Sequence, residues 1–455
     1  MRIRIAPGGP IGGAAEVPGD KSISHRWLIL AATALGPSEI TDLPVALDVR
    51  STARCVAALA PAARPSLEGW LVTPPDAPQA QRSTSNEVRP RPSRSRLYLR
   101  AEGRAALEAP VAELDCGNSG TTMRLLAGVV ASAPFEVVLT GDESLRARPM
   151  ERVARPLRAM GASVETTEGH PPIRIRGGRL HGISFRCPVP SAQVKGAVLL
   201  AALAAEGETV VLEPAPTRDH TERALAHLGA PIRVPAPGEV HLSAFQHAGF
   251  SARVPGDVSS AAFLIAAAAL TGGELRVEGV GLNPSRTRFL EVMARMGVRA
   301  EPHVLGEELG EPVGEIHVRP STELVGTTVP AEELPLVIDE VPVLTALAAH
   351  ARGESRFAGA GELRVKESDR LEGLAAMVRA LGGSAAVEGD DLVLAGGGLQ
   401  GGLADACGDH RMAMAAAVAG LGARAEVEVE GAEVADVSFP GFVETLRALG
   451  ASIEG

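Results

Sequence analysis

The stretch Lys21-Ser22-Ile23-Ser24-His25-Arg26 sets an ammonium, two hydroxyls and a guanidinium at the head of an apolar run. If that run is a helix, its first free N–H groups join them, and the whole set is suited to gripping a phosphate. Arg26 falls four residues after Ser22, near the same face. Gly19-Asp20 ahead of it gives a passing likeness to the Gly-Lys-Ser of a nucleotide-binding loop. Asp20, however, separates the glycine from the lysine, and the upstream glycine spacing fails. Read alone, the segment is equally well explained as a capped helix with a solvated lysine.

Other helix starts carry the same kinds of group. Asn118-Ser119-Gly120-Thr121-Thr122 offers small residues and free N–H groups, followed by Arg124. Arg146-Ala147-Arg148-Pro149 sets cations before a proline-led helix, and Ser191-Ala192-Gln193-Val194-Lys195 holds a hydroxyl, an amide and an ammonium. Thr217-Arg218-Asp219-His220 and Asp409-His410-Arg411 each set an arginine beside Asp and His. One arginine at the positive end of a helix is slightly unfavourable and usually just a surface charge. Repetition of the arrangement points to anions that compensate it.

Candidate acid–base groups lie in the C-terminal half. Ile338-Asp339-Glu340 sits between apolar runs, so desolvation is expected to lift a carboxylate there toward the range of a general base. Arg364-Val365-Lys366-Glu367-Ser368-Asp369-Arg370 packs two carboxylates among three cations, and also suits a salt-bridged first helical turn. His25, His220 and His410 lack metal-site spacing, and the chain has neither a Gly-x-Ser-x-Gly elbow nor a Cys–His signature. Neither a metal nor a covalent nucleophile is expected.

The elements that must position these residues form an internal repeat. A polar or glycine-rich turn runs into an Ala/Leu-rich helix at residues 18–35, 115–131, 189–205, 254–270, 338–351 and 407–421. A more polar helix follows each, at 48–59, 148–160, 217–228, 285–296, 367–381 and 439–449, five of them stopping at Gly161, Gly229, Gly297, Gly382 and Gly450. Short alternating runs such as Phe135–Leu139, Ile173–Ile175, Ile316–Val318 and Leu392–Leu394 read as strands. Six units suggest an α/β chain of two domains of three units. The near-identical turns Pro18-Gly19-Asp20 and Val254-Pro255-Gly256-Asp257 are the expected crossovers. The expected domains are residues 20–252, and 1–19 together with 253–455. Between about residues 61 and 100 an irregular Pro-, Ser- and Arg-containing stretch reads as a surface insertion in the first unit.

Composition narrows the partners. With aromatics at 3%, the core must be Ala, Leu and Val, and little is left for stacking bases. A net charge of -11 repels a nucleic-acid backbone, so any anion site is a local gathering of cations and no nucleic acid is expected. Cys55, Cys116, Cys187 and Cys407 are scattered and read as free thiols of a reducing compartment. The first residues alternate like a strand and carry no signal-peptide core, and the longest apolar runs are about half a membrane span. A cytoplasmic protein without membrane anchor is expected.

Taken together, PGDKSISHR, CGNSGTTMRLL, GDESLRARPM, PSAQVKGAVLLAAL, RDHTERAL, PGDVSSAAF, IDEVPVLTALAA, ELRVKESDRL and GDHRMAM resemble, end to end and in order, the 5-enolpyruvylshikimate-3-phosphate synthase family. The resemblance implies two domains, each of three units about a pseudo-threefold axis (an inside-out α/β barrel), joined by a two-crossover hinge. It implies transfer of the enolpyruvyl group of phosphoenolpyruvate to the 5-hydroxyl of shikimate 3-phosphate with release of phosphate, by a monomer needing no cofactor. Shikimate 3-phosphate would meet Lys21, Ser22, Arg26, Ser191, Gln193, Arg218, Asp339 and Lys366. Phosphoenolpyruvate would meet Lys21, Gly120, Arg148, Gln193, Arg370 and Arg411. Asp339 would serve as base at the hydroxyl, with Glu367 and Lys21 as proton carriers at the enolpyruvyl end.

Three positions depart from the family pattern. Val437 stands where some members have a lysine for phosphoenolpyruvate, Glu362 stands where some have an asparagine, and the irregular insertion has no counterpart. Gly120 occupies the position where alanine confers glyphosate tolerance in some relatives, and the sequence alone leaves sensitivity open. The sister family acting on UDP-N-acetylglucosamine is the alternative. It reads Lys-Asn at Lys21-Ser22 and often uses a loop cysteine, and Cys116 lies near that region but before the glycine turn. A non-catalytic anion binder would have no need of Asp339 and Glu367.

Overall fold

The computed structural model describes residues 1–61, 95–321 and 323–455. The six Ala/Leu-rich runs form helices Lys21–Thr33, Gly120–Val130, Ala192–Ala202, Val258–Thr271, Val341–His350 and His410–Leu421. Five are started by a side-chain cap: Asp20, Ser119, Ser191, Asp257 and Asp409 accept from free backbone N–H groups of the first turn. The sixth opens with Pro342 instead. These helices are buried nearly all round, so their sequences show little amphipathic alternation. The second helix of each unit, such as Glu151–Met160 or Arg288–Arg295, keeps a wet face. The five stop glycines all take positive φ, between 79° and 112°.

Five four-stranded sheets share one plan, and a sheet of three described strands, Ser251–Arg253, Leu35–Thr41 and Arg96–Glu102, follows its first three places. In the unit around Gly120, edge strand Leu114–Asp115 runs parallel to Glu136–Thr140, which pairs antiparallel with His170–Arg176, and that with Ser163–Thr167. The same order recurs at residues 184–243 and 328–394. Two departures from simple repetition tie the chain together. Strand Arg2–Ile5 pairs with Val427–Glu430 and Ile453–Glu454, completing the last unit. The edge strands before the two crossover helices are exchanged: Gly13–Glu16 joins Leu275–Gly281, while Ser251–Arg253 joins Leu35–Thr41.

The exchanged strands cross at paired turns. Asp20 N–H donates to the Pro255 carbonyl at 2.7 Å, and Asp257 N–H to that of Pro18 at 2.8 Å. Only glycine fits at residue 19, because a Cβ there would stand 2.3 Å from the Asp42 carbonyl oxygen. Two apolar cores result. One gathers Ile3–Val17 with side chains from Val258 onward; the other gathers Ile23–Val254 plus Leu309, which the hairpin Arg299–Glu308/Glu311–Arg319 carries across.

The irregular stretch is shorter than its composition suggests. Arg96–Glu102 is a regular strand antiparallel to Leu35–Thr41, its Leu97, Leu99 and Ala101 facing inward. Proline and arginine content hid an alternating pattern that burial makes plain. The rest of the stretch, residues 62–94, lies outside the described residues. No helix among the described residues is long and apolar enough to cross a membrane.

Candidate active site

The capped helix starts of both halves face one another across a cleft lined by charge. At the first, Lys21 Nζ lies 2.9 Å from Asp48 Oδ2, and both side chains are mostly buried. Burial alone would lower the ammonium's pKa, but Asp48 and Glu367 raise it further than burial lowers it. Ser22 is partly exposed, and its carbonyl accepts from Arg26 Nη1 at 2.8 Å. Arg26 Nε donates to Thr221 Oγ1 at 2.8 Å, and no carboxylate lies within ion-pair distance of Arg26 among the described residues. Burial pulls its pKa down to about 10, so it stays a buried cation short of an anion.

A second group of cations surrounds Gly120. Arg148 Nη2 donates to Asn118 Oδ1 at 2.5 Å, and Arg124 reaches the Gln193 side chain, whose Nε2 donates to Thr121 Oγ1 at 2.8 Å. A Cβ on Gly120 would stand 3.1 Å from Arg124 Nη1 and 3.3 Å from Arg148 Nη1, so both guanidiniums converge over this glycine. Burial, with Arg152 and Arg148 nearby, lowers Arg124 to about 9. Ser191 caps its helix through the Val194 N–H.

The acidic centre comes from the other half. Asp339 touches Arg218 through Oδ2, has Lys366 Nζ and Arg370 Nη1 each 3.8 Å from Oδ1, and its carbonyl accepts from Arg411 Nη1 at 2.7 Å. Glu367 Oε2 lies 2.7 Å from Arg370 Nη2, and its Oε1 lies 4.0 Å from Arg148 across the cleft. Arg370 is itself held by Asp409, at 2.8 and 3.1 Å.

The expected lift of the Asp339 pKa is overturned. Burial does raise it, but Arg218, Lys366, Arg411 and Arg370 outweigh burial and hold the carboxyl well below the usual range. Glu367 is likewise raised by burial and driven well down by Arg370, His410, Arg148 and Lys21. Lys366 moves the other way for a lysine: burial lowers it, and Asp339 recovers only part.

Two sequence candidates fall outside the cleft. Lys195 turns into the N-terminal core, 2.7 Å from both Glu213 Oε2 and Glu222 Oε1. Arg146 is exposed and bonds Thr140. Glu367 precedes the helix it was expected to begin, since Asp369 is the N-cap. Cys116 is buried, and the neighbouring Cys55 thiol and its burial raise its thiol well above the ordinary value, so it is no ready nucleophile. Sequence reasoning missed Asp48 and Asp409 as holders of Lys21 and Arg370, and Arg152, which reaches Glu362 at 3.9 Å. The position of Asp409 as an N-cap was the one available signal. Val437 ends the turn Ala432–Val437 and brings no polar side-chain group. Among the described residues no group of three or more His, Cys, Asp or Glu could hold a metal.

The chain is similar to proteins already described. The family model for EPSP synthase (3-phosphoshikimate 1-carboxyvinyltransferase) matches residues 5–85 and 93–446. A 3-phosphoshikimate 1-carboxyvinyltransferase of Acidithiobacillus ferrooxidans is 43% identical over 100% of this chain and 99% of its own length. One of Thermus thermophilus is 46% identical over 98% of each. The solved EPSP synthase of Acinetobacter baumannii superposes with a TM-score of 0.83 at 37% identity, covering 100% of this chain and 99% of the other.

Proposed function

The chain belongs to the EPSP synthase family, and on that premise we propose that this cleft transfers the enolpyruvyl group of phosphoenolpyruvate to the 5-hydroxyl of shikimate 3-phosphate. The observation that carries the reading is the convergence of Lys21, Arg148 and Arg218 from one half with Lys366, Arg370 and Arg411 from the other around Asp339 and Glu367. Two phosphates and two carboxylates need such a surplus of cations, and two proton transfers need carboxylates among them.

In this reading the 5-hydroxyl attacks C2 of phosphoenolpyruvate as its proton passes to Asp339, while the methylene carbon takes a proton. The tetrahedral ketal phosphate then loses phosphate as the new methyl group gives a proton back, leaving the enol ether. Asp339 and Glu367 are poor bases while bare cations surround them. Substrate phosphate and carboxylate groups drawing on Arg218, Arg148 and Arg411 would weaken that hold and raise both carboxyls toward a working range. Lys21 stays an ammonium, because Asp48 and Glu367 raise it further than burial lowers it, and it is read with Glu367 as a proton carrier at the enolpyruvyl end. Lys21, Ser22, Arg26, Ser191, Gln193, Arg218, Asp339 and Lys366 are read as holding shikimate 3-phosphate. Gly120, Arg148, Gln193, Arg370 and Arg411, with Lys21, are read as holding phosphoenolpyruvate.

The same reading divides the chain into residues 20–252 and residues 1–19 with 253–455, supported by the two apolar cores. It takes one chain as the working unit, since both faces of the cleft come from one chain, and a reducing cytoplasm, since all four cysteines are unpaired. The test is phosphate release by the purified protein, expected only when both substrates are present. No release with that pair, or release with UDP-N-acetylglucosamine in place of shikimate 3-phosphate, would sink the assignment.

A further inference from the structure

A polar cluster lies behind the cleft, where the two crossovers meet, and its centre is a residue the reaction itself does not call for. Arg286 is 3% exposed. Its Nη1 donates to Asp20 Oδ2 at 2.8 Å, and its Nη2 lies 3.2 Å from Asp257 Oδ1. These are the caps of the two helices that follow the crossovers, holding the N–H groups of Ile23 and Ser259. One guanidinium thus joins the first turn of the N-terminal half to that of the C-terminal half.

Two further arms leave the same group. Nη2 donates to Ser259 Oγ at 2.7 Å, and that hydroxyl donates to the buried carboxylate of Glu340. Nη1 also lies 3.2 Å from His220 Nε2. A guanidinium only donates, so this ring nitrogen accepts and the ring's proton sits on Nδ1, directed at Glu311 Oε1 at 2.7 Å. Glu311 and Asp219 are bridged by Asn283 Nδ2, at 2.9 and 2.7 Å, and Ser285 Oγ adds a 3.0 Å bond to Asp219.

The partners have one thing in common. Asp20 precedes Lys21, Asp219 follows Arg218, and Glu340 follows Asp339. Lys21, Arg218 and Asp339 come from three separate stretches of chain, two in one half and one in the other, yet each is next to a residue of this one cluster. We propose that Arg286 is a positioning residue for the transfer, setting Lys21, Arg218 and Asp339 in register across the two halves. It touches neither substrate in this reading, which rests on the proposed roles of those three residues. Its fork shape matters as much as its charge, because an ammonium cannot span Asp20, Asp257 and Ser259 at once.

The experiment compares wild type, Arg286→Met, Arg286→Lys and Ser259→Ala by kcat, both KM values, and calorimetric affinity for shikimate 3-phosphate. Wild type is assayed first, and its failure would fall on the proposed function rather than on Arg286. Arg286→Met is expected to lower kcat by about 100-fold and weaken shikimate 3-phosphate about tenfold, the scale of loss from an angstrom of misplacement. Arg286→Lys should recover part of both. Ser259→Ala leaves both helix caps and all charges in place and removes the hydroxyl that links Arg286 to Glu340, with its bonds to both. It should lower kcat about tenfold with the affinity within about threefold. A folded Arg286→Met with wild-type kcat and affinity, merely melting earlier, would reduce Arg286 to a structural tie and overturn the proposal. If Arg286→Met does not fold, Ser259→Ala decides, and a wild-type kcat there overturns it equally.

Discussion

Burial and charge pull the Asp339 carboxyl in opposite directions, and charge prevails because four cations lie close by. A sequence shows the apolar run before Asp339 but not Arg218, which arrives 121 positions away in the chain. The opposite balance holds at His25. Burial lowers its pKa to about 3, Asp48 opposes this, and Lys21 and Arg26 add to it. Nδ1 bonds Thr52 at 2.6 Å, while Nε2 is buried without a hydrogen-bond partner among the described residues. The unfolded chain binds a proton at this ring near pH 6.5 and the folded one does not. His25 therefore favours folding fully above about pH 6.5, and that share is lost as pH falls toward its folded value. Between pH 6 and 4 the stability of wild type is expected to fall by about 1 kcal/mol per pH unit more steeply than that of His25→Gln. Denaturant titrations across that range check it, and parallel curves for the two proteins would refute it.

At the scale of elements, the helix starts carry the site, so the packing that spaces them bears on chemistry. Helices Gly120–Val130 and Ala192–Ala202 bring Gly120 and Gln193 together because they touch along their length. They touch at Gly128, where a Cβ would stand 2.0 Å from the Ala197 carbonyl oxygen and 2.8 Å from its carbon. Alanine has the higher helix propensity, by about 1 kcal/mol. Gly128→Ala is nonetheless expected to destabilise the protein by about 1–3 kcal/mol, since two backbones must part. It should also lower activity, as Arg124 and Gln193 are drawn apart. Urea unfolding and the phosphate-release assay measure the two effects, and a more stable variant would contradict this packing account. Caps, stops and apolar runs were legible in the sequence because each rule acts within one or two turns. Lys195 shows the limit: its helix start was legible, but the side it would turn to depended on Glu213 and Glu222.

For the whole molecule, the cleft is bridged by contacts between groups of opposite halves, among them Arg218 with Asp339, Arg148 with Glu367 and Arg152 with Glu362. The surplus of cations on both faces repels itself until anions arrive. Adding shikimate 3-phosphate is expected to shrink the radius of gyration seen by solution scattering, with phosphoenolpyruvate or glyphosate completing the change. An unchanged radius with both ligands would argue against closure. The crossovers suit a hinge, being two short turns pinned to each other and held at the rear by Arg286.

The six-fold repeat, the two crossover turns, the approximate places of the helices and the family, and through the family the candidate site residues, were all legible in the chain's own order. These follow from rules local in the chain or from motifs long enough to be specific. Which carboxylate holds which cation, which way Asp339 titrates, and the trade of sheets by Gly13–Glu16 and Ser251–Arg253 are set by the packing of the folded chain. Strand exchange and ion pairing join residues tens to hundreds of positions apart. Such partners are selected by how whole sheets and helices pack, which no short window of sequence contains.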